Sequence, residues 1–377
     1  MIRNVKALTA SSYLSMFFLG LTVTVIGAAA KNIGLSPTQI GLMLSVQNVG
    51  FIISVSLSGA LADVREKPRL LLAGSLVMVA GLLTFYLSHP FWLFLVAMLL
   101  IGAGGGVYEG VTDAMLMDLH QERESLHISI NHFFVTFGCL AITAYMIFLQ
   151  SNWRYAIIQA AIVVLLLALF FGLARLESLG TRGESYGQRI KVLTNERAVV
   201  VLFICAVLVV GAEIASIGIL TSYLMDVRGF TQVTSKVGLI IFLSGILTGR
   251  LLVGILVKNQ QIPQYVLGLM GLAVLSFTAL FVADLKDFIY APIYVAGFSL
   301  SALLPLLLTM AGLMYRQMAG TVLGLIKIAL PLGGILTPFL ISAISRYASF
   351  QAALLVFPLS FLIAFILFLT IRKRLTL

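Results

Sequence analysis

Residues 176–197 read LESLGTRGESYGQRIKVLTNER. This is the only stretch of the chain that resembles an interdomain linker. On either side of it, apolar runs alternate with short connections such as Ser88-His89-Pro90. Before it, the runs fall at about 8–30, 39–62, 69–87, 91–117, 126–149 and 153–175. After it, they fall at about 198–224, 236–257, 263–283, 288–314, 318–345 and 350–371. A helix needs about 20 apolar residues to cross a bilayer. The expected fold class is therefore an all-α polytopic membrane protein with 12 transmembrane helices. Its expected domains are a six-helix bundle over 1–176, a cytoplasmic linker over 177–197 and a second six-helix bundle over 198–377.

Composition points the same way. Of 377 residues, 60% are hydrophobic and 10% charged, whereas soluble domains carry about 25% charged residues. Mean hydropathy is +1.10. A soluble enzyme or binding module could not bury that much apolar surface. The 24 Lys+Arg against 14 Asp+Glu would suggest nucleic-acid binding in a soluble chain. In a membrane chain, cations gathered on cytoplasmic loops explain it, and no nucleic-acid partner is expected. With the N-terminus inside, the inner segments hold sixteen Lys and Arg. The outer segments hold six: Lys31, Arg154, Arg228, Lys236, Lys286 and Arg346. Both termini are thus expected in the cytoplasm, with the protein in the plasma membrane. Cys139 and Cys205 lie inside apolar runs, so neither a disulfide framework nor a metal site is expected. The opening MIRNVKALTASSY leads into an apolar run that has no A-x-A site at a place suited to cleavage, so a retained first helix is expected.

The two halves also echo each other. An offset of 195 places Gly50 on Gly245, Gly59 on Gly254, Leu61 on Leu256 and Pro68 on Pro263. It equals the shift between the second and eighth spans, as a duplicated six-helix unit requires. Two parallel repeats of this kind form one large transporter architecture.

Ionisable residues inside spans are costly and mark function. Five stand out: Glu109, Asp113, Glu213, Arg250 and Lys327. Glu109 and Asp113 are four apart and so share a helix face, with Gly102, Gly106 and Gly110 on nearly the same face. The pattern reads as the wall of a central cavity, with Glu109 as a proton carrier and Asp113 as a substrate acceptor. Glu213 reads as a second coupling group or a sugar hydroxyl acceptor, or as half of an ion pair with Lys327. Lys327 shares a face with Gly320, Gly324, Pro331 and Gly334, a pattern that predicts a bent or closely packed eleventh span. It reads either as an ion-pair partner of Glu109 or Glu213 or as a substrate contact. Gln47, Asn48, Tyr108, Asn131 and His132 are neutral candidates for binding solute hydroxyls away from water.

The loop Gly59-Ala-Leu61-Ala62-Asp63-Val-Arg65-Glu-Lys67-Pro-Arg69 resembles the G-x-L-a-D-x-x-G-R-K signature of the major facilitator superfamily. Glu66 replaces the second glycine of that signature. Asp63 at a helix end can pair with basic groups or with the positive N-terminus of a neighbouring helix. This reads as a cytoplasmic gating motif of Gly59, Asp63 and Arg65, with Arg250 as a further latch. Gly104-Gly-Gly106-Val-Tyr-Glu109-Gly-Val-Thr-Asp113 resembles the G-x-G-x-x-E-x-x-x-N pattern of the fucose–proton symporter family within that superfamily. His132-Phe133-Phe134 before Gly138, Trp153-Arg154, Gly211-Ala212-Glu213 and Gly249-Arg250 are similar to its later motifs. Ser129 stands where that family has an asparagine, and the first span holds Thr22 and Thr24 where its symporter has an acid. The resemblance implies proton-coupled uptake of a sugar or similar polyol.

No G-x-x-x-x-G-K-[ST] loop is present, so ATP is not the expected direct energy source. Nor is there an H-E-x-x-H or a G-x-S-x-G for intramembrane catalysis. The expectation is a monomeric secondary transporter, not an enzyme, with no cofactor and no metal. Its expected partners are membrane lipids, a small-molecule substrate and a coupling proton, with sodium as the alternative ion. Proton-antiport efflux of lipophilic compounds and transport of an organic anion are the alternative functions.

Overall fold

Prolines and glycines set where the helices start, stop and break. The computed structural model describes residues 4–148, 153–176, 186–283 and 285–372. The first part of the expected linker, 177–185, lies outside them. The helices before the linker are α1 (Val5–Ile33), α2 (Pro37–Ala62), α3 (Lys67–Leu87), α4 (Phe91–Leu119), α5 (Glu124–Phe148) and α6 (Trp153–Leu173). The described part of the linker forms α7 (Tyr186–Asn195). Next come α8 (Arg197–Asp226), α9 (Gln232–Leu256), α10 (Ile262–Val282), α11 (Tyr290–Ser301) and α12 (Leu303–Met314). The chain continues with α13 (Ala319–Lys327), α14 (Ala329–Tyr347), α15 (Phe350–Leu354) and α16 (Val356–Ile371). Together they make twelve segments long and apolar enough to cross a membrane, at the places expected from the apolar runs.

Three of these segments are broken helices. α11 ends at Ser301, α13 at Lys327 and α15 at Leu354. In each case a proline stands four residues on: Pro305, Pro331 and Pro358. Proline has no N–H to give the carbonyl four residues back, and its ring crowds that carbonyl. Elsewhere the starts are conventional. Ser36 and Gln39 cap α2 reciprocally, with Pro37 in the first turn. Gly34 and Gly229 turn the chain at φ 77° and 69°, a left-handed conformation that glycine adopts without strain.

The residues group into two compact units. The first comprises Met1–Gln121, Ile130–Lys191 and Tyr315–Ile328; the second comprises Glu122–Ser129, Val192–Met314 and Ala329–Leu377. In the first unit, α2 and α4 meet along a glycine seam. A Cβ on Gly102, Gly106 or Gly110 would run into the backbone of Gln47, Phe51 or Val55, and one on Gly50 would meet the Leu99 carbonyl. Small residues spaced by four permit such close helix approach. In the second unit, α9 and α11 form the matching seam: Gly245 abuts the Tyr294 carbonyl and Gly297 that of Phe242. Gly50 and Gly245, related by the offset seen in the sequence, thus occupy equivalent places. At the start of α6, Trp153 packs edge-on to Phe85. Arg154 lies over the Trp153 ring and donates to the Tyr86 carbonyl.

Candidate functional site

In the first unit, α4, α5 and α13 bring four ionisable side chains together. Glu109 and Asp113 lie one turn apart on α4. The glycine side of that face is closed against α2, and the two acids meet α13 and α5 instead. The Lys327 ammonium, at the last residue of α13, lies 2.5 Å from Asp113 Oδ2 and 3.1 Å from Glu109 Oε1. It also donates to the Glu109 backbone carbonyl. From α5, Asn131 Nδ2 donates to Asp113 Oδ1 at 2.7 Å and to Thr112 Oγ1 at 3.0 Å. His132 Nε2 lies 3.1 Å from Asp113 Oδ2 and 3.9 Å from Glu109 Oε1. Ser12 of α1 closes the set by donating to Asn131 Oδ1. Asp113 and Lys327 are wholly buried, and Glu109 and His132 nearly so.

The two carboxylates differ in how they are held. Both Asp113 oxygens accept hydrogen bonds, whereas Glu109 Oε1 is buried and accepts none. Two carboxylates face one fixed cation, the Lys327 ammonium, which leaves one formal negative charge that no fixed cation matches. Such a charge in a low-dielectric interior is expensive, and one added proton removes it. Oxygen and nitrogen atoms of Glu109, Asp113 and His132 lie within 4.8 Å of one another, a spacing that suits a cation. The cation they share is the Lys327 ammonium.

Other candidates from the sequence lie elsewhere. Tyr108 is wholly buried and pairs its hydroxyl with Ser75 of α3 at 2.7 Å, so it is a packing residue between α3 and α4. Gln47 is buried and Asn48 half-buried on α2, and neither forms a side-chain hydrogen bond among the described residues. Glu213 finds its partner in the second unit: Arg250 Nη2 lies 2.8 Å away. Arg250 Nε also donates at 3.1 Å to the Ser301 carbonyl, the group that Pro305 leaves without its helical donor. Arg250, read from the sequence as a further latch, thus pairs with Glu213 and with the Ser301 carbonyl. The Ser216 hydroxyl, one turn beyond Glu213, is buried without a hydrogen-bond partner among the described residues.

A second cluster surrounds Asp63, just past the end of α2. Gly320 N–H donates to Oδ1 at 2.7 Å and Thr321 N–H to Oδ2 at 2.9 Å, so the carboxylate caps the N-terminus of α13. The Thr321 hydroxyl also donates to Oδ2. Gly59 lies against the backbone of Gly320 and Gly324. The basic partner is Arg189 of α7, not Arg65, which is exposed. Arg189 Nη1 reaches Asp63 Oδ2 at 2.9 Å, Thr321 Oγ1 at 2.9 Å and the Ala60 carbonyl at 3.0 Å. Burial pushes the Asp63 carboxyl above its ordinary value, against the pull of the Thr321 and Gly320 donors and of Lys67. Sequence reasoning missed Arg189. Its one signal was the spacing to Leu193, four residues on, which puts both buried residues on one face of α7.

A family model described as the Major Facilitator Superfamily matches residues 8–330. Among curated proteins, the glucose transporter GlcP of Staphylococcus epidermidis is 29% identical over 149 residues. That match covers 37% of this chain and 33% of GlcP, so the chain spans about a third of the length of this relative. Among solved structures, that of the E. coli fucose:proton symporter FucP superposes with a TM-score of 0.79 at 18% identity, covering 98% of this chain and 99% of FucP. That of the human organic anion transporter TETRAN superposes at 0.75 with 15% identity, covering 97% and 100%. At these identities the likeness is one of fold.

Proposed function

The chain belongs to the Major Facilitator Superfamily, and on that premise we propose that it takes up a sugar or similar small neutral solute together with a proton. Membership makes it a multi-pass membrane transporter and not an enzyme. The observation that carries the finer reading is the buried cluster of Glu109, Asp113, His132 and Lys327. It has one carboxylate more than it has fixed cations, and that carboxylate is loosely held. We assign the proton to Glu109 and make Asp113 the standing counter-charge of Lys327. The solute contacts are Gln47 and Asn48, whose side-chain polar groups are uncommitted, with Asn131 and His132 shaping the acid site. Glu213, paired with Arg250, is a second coupling group in reserve. The fucose–proton symporter motifs around Glu109 and the GlcP match support a sugar.

Lys327 bears on the alternatives. Its ammonium donates to the Glu109 backbone carbonyl and is ion-paired with Asp113 Oδ2 and with Glu109 Oε1. A carboxylate substrate would have to displace one of these, so a neutral solute fits better than an organic anion. The halves 1–176 and 198–377, joined by the linker, would alternate between outward- and inward-open states. The lysine and arginine distribution supports a plasma-membrane protein with both termini in the cytoplasm.

Reconstituted protein under an inward proton gradient tests this reading. Monosaccharide-dependent acidification of the lumen is the expected result. Glu109→Gln should bind the same sugar and lose gradient-driven accumulation. Full accumulation in that variant would remove Glu109 from the coupling role. Alkalinisation on adding lipophilic cations would replace uptake with antiport efflux.

A further inference from the structure

We propose that the first unit binds one acyl chain of a membrane lipid in a cavity between α1, α5 and α6, with the Gln159 amide holding the ester of that lipid. Tyr155, Gln159, Ile162, Leu166, Leu169 and Leu173 of α6 are spaced alternately by four and three, and all are exposed. That spacing puts them on one stripe of the helix. The stripe runs the length of an apolar span, and α6 packs on α3 and α1, so lipid is the solvent of the stripe. Gln159 places an amide on it. The Tyr145 hydroxyl of α5 donates to Gln159 Oε1 at 3.0 Å. The Gln159 NH2 has no partner among the described residues. A donor without an acceptor is costly at the edge of a hydrocarbon phase.

Beside this amide lies a cavity of about 250 Å³. Small side chains create it. α1 and α5 touch where Gly20 meets the Val135 carbonyl and Gly138 meets that of Phe17. One turn beyond Gly138, α5 carries only a methyl group, at Ala141, and α6 faces it with Ala156 and Ala160, four apart on one side. Phe17 and Leu21 of α1 add apolar walls, and Tyr145 and Gln159 are the only polar side chains lining the space. An apolar cavity of about 150 Å³ already takes benzene, so this one has room for several methylenes of a chain. The depth suits an ester. α6 starts at Trp153, and Gln159, six residues on, lies about 9 Å further along the axis. Its side chain leans back toward the start of the helix. The interfacial layer on each side of the hydrocarbon is about 5–7 Å deep. The amide therefore lies where the ester carbonyls of a lipid meet its chains. An ester carbonyl accepts and does not donate, which complements the free NH2. A chain without a carbonyl would fill the cavity and leave that donor unmatched.

Purified protein stripped of lipid in maltoside detergent tests the proposal. The probes are palmitoyl-oleoyl phosphatidylcholine, its ether-linked analogue without carbonyls, and decane. Native mass spectrometry measures retained lipid, and the thermal unfolding midpoint reports binding. The ester lipid should be retained, and the ether lipid should bind about two- to tenfold more weakly, the worth of one hydrogen bond. Gln159→Leu, on the exposed stripe, should remove that preference. Ala160→Phe should fill the cavity and abolish the rise in midpoint on adding lipid, while the lipid-free midpoint stays the same or rises. Should Ala160→Phe fail to fold, Ala141→Leu fills less of the space and should likewise reduce the lipid-induced rise. Equal binding of ester and ether lipids by the unaltered protein overturns the proposal. So does an ester preference that survives Gln159→Leu, or a lipid-induced rise of full size in the filled variants. Stabilisation by decane equal to that by the ester lipid also overturns it, because the cavity would then select apolar volume alone.

Discussion

At the scale of single residues, the two buried arrangements differ in what the chain shows in advance. Glu109 and Asp113 announce themselves, because acids at helical spacing inside an apolar run have no inexpensive alternative to pairing. Their partners do not. Lys327 lies 218 residues from Glu109, and Arg189 lies 126 residues from Asp63. From the sequence, Arg65 is the better candidate beside Asp63, being two residues away, yet it is the exposed one. Removing one partner of a buried ion pair costs about 3–5 kcal/mol, because the other charge stays buried. Arg189→Ala should therefore lower the thermal unfolding midpoint markedly, whereas Arg65→Ala should leave it within experimental scatter. Melting curves of the two purified variants decide the point. Equal losses would mean that Asp63 is neutralised by the loop and not by α7.

At the scale of elements, the prolines do more than interrupt. Each broken span frees a backbone carbonyl that needs a donor, since an unsatisfied carbonyl in an apolar interior costs several kcal/mol. At Ser301 the guanidinium of Arg250 supplies the donor, which gives a second reason, besides Glu213, for an arginine inside α9. At Lys327 the break separates α13 from α14. Pro331 stands in the first turn of α14, where its cost is the missing hydrogen bond to the Lys327 carbonyl, about 1 kcal/mol. Pro331→Ala should thus stabilise the eleventh span while stiffening it. The expected outcome is a raised unfolding midpoint together with a reduced maximal transport rate and little change in solute affinity. Parallel thermal and uptake assays test this. A variant that is both more stable and as fast as the unaltered protein would show that the break is not used in transport. The bend of this span was legible from its Gly/Pro face, but its position at Ile328 was not, because that depends on which carbonyl the proline strips of its donor.

At the scale of the whole molecule, topology is the property most open to test. A fluorescent reporter fused after Leu377 should light up in the cytoplasm, and an enzyme active only outside the cytoplasm should stay silent there. The opposite pattern would invert the lysine and arginine argument. The twelve spans and the offset that relates Gly50 to Gly245 were readable from the chain. Each is a local property: a window of about 20 residues either can or cannot enter a bilayer, whatever surrounds it. The cost of burying each charge was readable for the same reason. What only the tertiary structure decided is how that cost is offset. Glu213 goes with Arg250, Lys327 with Glu109 and Asp113, and Asp63 with Arg189 and the first turn of α13. Ion pairing depends on distances of a few ångströms between segments far apart in the chain. Those distances are set by the packing of backbones along the glycine seams, not by the composition of any one segment.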